Sequence, residues 1–98
     1  MGDTVNTEIK NMIIEILSEL FSDAGVDRDI LEYVDLVDDL GMDSINFISL
    51  IIELETVFDI QIPDDWLLME KFQNYTMIYS AIEELLTRKE TGDGGREQ

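Results

Sequence analysis

Apolar residues recur near the start of the chain at Val5, Ile9, Met12, Ile13, Ile16, Leu17 and Leu20, the i, i+3, i+4, i+7 spacing of one helix face. Neither glycine nor proline interrupts the segment, which predicts an amphipathic helix over Thr4 to Phe21, closed by Ser22, Asp23 and Gly25. A long connection follows from Val26 to Asp43, with Ile30, Leu31, Val34, Leu36, Val37 and Leu40 set among acids. A bare coil of that length is unusual in a compact domain, so the connection is expected to pack onto the core with a short helical turn or two.

Gly41 breaks the chain, and Asp43 and Ser44 are both good N-cap types ahead of a second periodic run, Ile45 to Phe58. Asp59 to Gln61 and Pro63 end that run, because proline cannot donate to a continuing helix. Asp64-Asp65-Trp66 reads as the start of a short third helix, with acids at the positive end of its dipole. A last helix is predicted from a cap at Asn74 through Met77, Ile78, Ala81, Ile82 and Leu85 to about Arg88. The expected architecture is all-α, a four-helix bundle of three long helices and one short third helix. Residues 1–88 make one domain, and residues 89–98, with three glycines, make a disordered tail.

The second helix carries two apolar stripes. Phe47, Leu50, Ile51, Leu54 and Phe58 fall within roughly 100° of one another on the helical wheel and form a complete core-facing stripe. Ile45, Ile48 and Ile52 form another, displaced by roughly 130°. These isoleucines are either packed under the connection or the third helix, or left on the surface beside Ser44 as a contact patch.

Composition narrows the chemistry. The chain of 98 residues has room for one core and no second catalytic domain. No run approaches the roughly 20 apolar residues of a membrane span, and Met1 to Lys10 lacks the basic and apolar regions of a secretory signal. A cytoplasmic location is the default expectation. With no cysteine and no histidine, disulfides, zinc sites and Ser-His-Asp triads cannot be built. Neither Asp27-Arg28-Asp29 nor the stretch Asp35 to Gly41 has the alternating ligands of a calcium loop, so metal binding is not expected. The formal charge is −17, from 23 acids and six bases, which repels nucleic acids and anionic membranes and draws in proteins with basic patches. As a solubility device, the same charge needs no partner. Between Asp29 and Glu70 there are 12 acids and no Lys or Arg, so the charge concentrates around the middle of the chain.

The stretch Asp39-Leu40-Gly41-Met42-Asp43-Ser44-Ile45 resembles the phosphopantetheine attachment motif of acyl carrier proteins, typically Asp-Leu-Gly-x-Asp-Ser-Leu. The likeness continues through Glu53 to Asp64, which looks like the end of that family's second helix and its Ile-Pro-Asp/Glu lead into the third. The resemblance covers about residues 5 to 88. It implies a 4'-phosphopantetheine arm joined by a phosphodiester to Ser44, with an acyl or aminoacyl cargo held as a thioester on the arm's thiol. It implies that a phosphopantetheinyl transferase recognises Asp43, and that Met42, Ile45, Ile48, Ile52, Glu53 and Glu55 meet loading and downstream synthase enzymes with basic docking patches. The chain is then a non-catalytic carrier, expected to act as a monomer, and the resemblance explains how a protein without histidine or cysteine still does chemistry. Asn46 and Ser49 stand where fatty-acid carriers usually place acids, and Trp66 to Phe72 is bulkier than their third helix. Both departures favour a specialised polyketide or nonribosomal peptide carrier over fatty-acid synthesis. The start at Met1 and the absence of linkers suggest a free-standing protein, although an excised domain would look the same. An unmodified acidic interaction module, with Ser44 only a cap, is the alternative from another class.

Overall fold

The computed structural model describes residues 2–91, with side chains for residues 7–89. Among them are three α-helices, α1 (Gly2–Leu20), α2 (Ser44–Phe58) and α3 (Tyr75–Thr91), four single turns of 3-10 helix, and no strand. α1 packs against both α2 and α3, and α2 packs against α3, so the three helices enclose one core. Its fully buried side chains are Ile13 and Leu17 of α1, Leu31 and Leu36 of the connection, Leu50 and Leu54 of α2, Phe72, and Ile78 and Ile82 of α3.

The expected core stripes place these helices. All five members of the α2 stripe are buried, and on α3 Ile78, Ile82 and Leu85 are buried. On α1 the inward face is Ile9, Ile13, Ile14, Ile16 and Leu17, while Met12, expected among them, stands open to solvent. Asn74 caps α3 as expected, its Oδ1 accepting from the Met77 N–H at 2.9 Å. α3 then runs to Thr91, three residues beyond the Arg88 end read from the sequence; the rest of the expected tail, residues 92–98, lies outside the described residues.

The third helix takes a different form from the one expected. Asp64–Trp66 and Met69–Lys71 are two isolated 3-10 turns. Between them Leu67, at φ −82° and ψ 63°, closes an inverse γ-turn in which the Leu68 N–H donates to the Trp66 carbonyl at 2.8 Å. Trp66, Leu67, Leu68 and Met69 are consecutive apolar residues without the period that one stripe of an α-helix could bury, and Leu67 and Leu68 remain exposed. Two offset turns instead half-bury Trp66 and Met69 and drive Phe72 into the core, 5.8 Å from the Phe47 ring.

The connection from Val26 to Asp43 does pack down. Leu31 and Leu36 are buried, and ion pairs Lys10–Glu32 (2.9 Å) and Glu15–Arg28 (3.3 Å) tie it to α1. The Leu36 N–H donates to the Gln73 carbonyl at 2.6 Å, joining the connection to the segment before α3.

Candidate functional site

The stretch from Asp35 to Asn46 is a self-bracing loop that delivers Ser44 to the surface. Asp35 Oδ1 accepts from the N–H groups of Val37 (2.9 Å) and Asp38 (2.7 Å), and the Asp35 N–H donates to Asp39 Oδ2 at 2.8 Å. Gly41 takes the left-handed backbone at φ 71°, which a residue with a Cβ adopts only with strain. That turn lets the Met42 N–H reach back to the Leu36 carbonyl at 2.8 Å and puts the Met42 side chain in the core, 4% exposed. Met42, expected on the contact face, is therefore a packing residue.

Asp43 begins α2. Its Oδ1 accepts from the Asn46 N–H at 2.9 Å, and Asn46 Oδ1 accepts from the Asp43 N–H at 3.4 Å, a reciprocal capping box. Of the two cap candidates, Asp43 takes the position and Ser44 becomes the first helical residue. Asn46 is thereby occupied with its own helix start, so its lack of charge says less about docking than its sequence position implied.

Each residue of the Asp39 to Asp43 run is thus used by the fold, in order as a turn acceptor, a half-buried leucine, a left-handed glycine, a core methionine and a cap. Ser44 is not. It is exposed, and among the described residues its hydroxyl has no hydrogen-bond partner. It sits in the first turn of a 15-residue helix, whose open N–H groups and positive dipole end favour an anionic substituent. A phosphodiester at the Ser44 hydroxyl fits this place.

The family described as phosphopantetheine attachment site matches residues 8–82. The chain belongs to that family. It is 36% identical over 59 residues to the acyl carrier protein of Syntrophobacter fumaroxidans, covering 59% of this chain and 73% of the relative. It is 44% identical over 59 residues to the acyl carrier protein of Lactobacillus johnsonii, covering 59% and 70% respectively. A third relative, the acyl carrier protein of Desulforapulum autotrophicum, is 41% identical over 63 residues, covering 63% and 74%. The chain is therefore an acyl carrier with a covalent 4'-phosphopantetheine group, a substrate of a phosphopantetheinyl transferase and a carrier to synthase enzymes, without catalysis of its own.

Around Ser44 this carrier exposes the second α2 stripe. Ile45 is 74% exposed, Ile48 58% and Ile52 55%, so neither the connection nor the 3-10 turns cover them. Glu53 is also exposed, whereas Glu55, expected beside it on the contact face, is half-buried and accepts from the Ile62 N–H at 3.0 Å through Oε2. Glu55 secures the extended lead into Pro63, and its carboxylate is committed there. The spacing of the α2 stripes singles out Ile45, Ile48 and Ile52; no periodicity could reveal that Met42 and Glu55 are held by backbone turns. Among the described residues no His, Cys, Asp or Glu cluster could hold a metal ion, and no helix is long and apolar enough to cross a membrane.

Proposed function

We propose that Ser44 is the residue that carries the arm, and that Ile45, Ile48 and Ile52 are the contacts by which enzymes grip the loaded carrier. The observation that supports Ser44 is the division of labour along the motif: every neighbour from Asp39 to Asp43 is used by the fold, and the Ser44 hydroxyl alone is open and unbonded among them. On this reading the Ser44 hydroxyl oxygen attacks the pyrophosphate of coenzyme A within a transferase. One phosphorus–oxygen bond forms, one breaks, adenosine 3',5'-bisphosphate leaves, and the hydroxyl proton passes to a base of the transferase. Nothing in this chain needs to activate the serine, which suits a protein without histidine.

The cargo belongs to a specialised biosynthetic pathway on the strength of the apolar character of the exposed α2 face, where three isoleucines are accompanied by one free acid, Glu53. An enzyme partner there would be selected by apolar fit, with charge guiding approach. Intact-mass measurement after incubation with a broad-specificity transferase and coenzyme A tests the attachment. The full chain gains one phosphopantetheine mass, and Ser44→Ala gains none. No gain in the parent chain, or a gain that survives Ser44→Ala, would refute the assignment.

A further inference from the structure

We infer that the seam between α1 and α2 is a second docking surface, built for a short basic amphipathic helix of a partner protein and separate from the isoleucine face beside Ser44. The seam holds two adjoining grooves of about 310 and 230 Å³ that share Ile16, Glu19 and Glu53. The larger takes its apolar surface from Met12 and Val57, 37% and 36% exposed, and the smaller from the half-buried Leu20, with the buried Ile16 common to both. Met12 is the one apolar member of the α1 pattern, among those with a described side chain, that is exposed and not buried or half-buried.

Charge says what covers it. Glu8, Glu15 and Glu19 stand at i−4, i+3 and i+7 from Met12, so all lie on its face of α1, and Glu53 stands one turn before Val57 on α2. All four are exposed. Glu15 pairs with Arg28 at 3.3 Å, while Glu19 and Glu53 have no cation among the described residues. An apolar strip rimmed by carboxylates complements a helix with leucine-like side chains on one face and Lys or Arg flanking them. From Glu8 to Glu19 the strip is about 16 Å long, which sets the partner segment at about three turns. Anionic membrane surfaces and a second copy of this chain, itself at −17, are repelled by the same rim. Glu53 and Val57 lie about 14 and 20 Å along α2 from Ser44. A partner held at the seam therefore leaves Ser44 and the isoleucine face open to other enzymes, and the proposal does not depend on which residue bears the arm.

The test uses the full isotope-labelled chain and a synthetic helix of about 14 residues, leucines at i, i+3, i+4 and i+7 flanked by lysines, against a scrambled peptide of identical composition. Amide shifts are expected at Met12, Ile16, Glu19, Glu53 and Val57, with little change at Ile45 and Ile48, and with the scrambled peptide at least about fivefold weaker. The double change Glu8→Gln with Glu19→Gln, both on α1 and outside the isoleucine face, weakens binding about fivefold and leaves the transferase mass gain intact, so failure here is distinct from failure of the Ser44 assignment. Shifts centred on Ile45, Ile48 and Ile52, equal binding of the scrambled peptide, or no binding overturns the proposal. So does a shift of the seam with protein concentration alone, which would make a second copy the occupant.

Discussion

Asp59 is the one non-glycine residue with a left-handed backbone among the described residues, at φ 54° and ψ 53°, and it ends α2 by that conformation. Asp tolerates this region better than most side chains because its short polar group bonds locally. Here it also meets Lys89 of α3, whose Nζ donates to Asp59 Oδ2 at 2.8 Å and to the Asp59 carbonyl. The hydrogen bond and charge of Lys89 hold the Asp59 carboxyl below its ordinary range. A lowered folded-state pKa means that the pair stabilises the protein above the ordinary aspartate pKa near 3.8 and ceases to do so as pH falls through the lower folded value. Both partners are exposed, so the contribution is small. Asp59→Asn keeps the backbone preference and removes the charge. It should lower Tm only slightly near pH 6, and the difference from the parent should shrink as pH falls below the ordinary aspartate value near 3.8. Thermal melts across that range check it; a difference that grows on acidification would mean that the ion pair is not what Asp59 contributes.

α2 shows how far a helix can be reasoned out from spacing. Its two stripes are chemically alike, yet Leu54 is fully buried and Ile48 is more than half exposed. Leu54→Ala should therefore destabilise by about 2 to 5 kcal/mol through a core cavity. Ile48→Asp should leave the melting temperature nearly unchanged while slowing transfer by an enzyme that grips this face. Chemical denaturation of both variants distinguishes the stripes, and a comparable loss in Ile48→Asp would place it in the core. The wheel finds this division because a 3.6-residue period survives any tertiary context in which the helix forms. It fails where no period operates. Asp64-Asp65-Trp66 reads as the start of a short helix from its acids, but the contiguous apolar run that follows resolves into two 3-10 turns about a γ-turn at Leu67. Met42 reads as surface beside Ser44 because its burial depends on Gly41 turning left-handed and on a bond back to Leu36. Glu55 reads as a docking acid because an acceptor for an N–H seven residues on leaves no trace in composition. Ser44 itself is legible as a site only through the motif it shares with acyl carriers; its chemistry alone leaves it interchangeable with Asp43 as a cap.

At the scale of the whole molecule, one charge distribution acts in opposite directions on stability and on encounter. The chain carries −17, and its sequence pI is about 4.1. The four ion pairs between described residues, Lys10–Glu32, Glu15–Arg28, Glu84–Arg88 and Asp59–Lys89, all involve partly or fully exposed side chains, so each contributes little to stability. Self-repulsion among the remaining carboxylates has no such local compensation, and it acts over a Debye length that contracts from about 30 Å at 0.01 M salt to about 8 Å at 0.15 M. Added salt therefore relieves more repulsion than it weakens attraction, and Tm should rise by several degrees across that range. Approach to a basic partner depends on the same unscreened field, so the second-order rate of phosphopantetheine transfer should fall as salt rises, by about tenfold or more if steering is strong. The two measurements belong together, calorimetry for the first and single-turnover mass spectrometry for the second. A melting temperature that falls with salt would show the ion pairs to outweigh the repulsion, and a flat transfer rate would show that the acids serve solubility alone. A rising Tm with a falling rate is the signature of a carrier that retains an unfavourable charge because its partners are found by it.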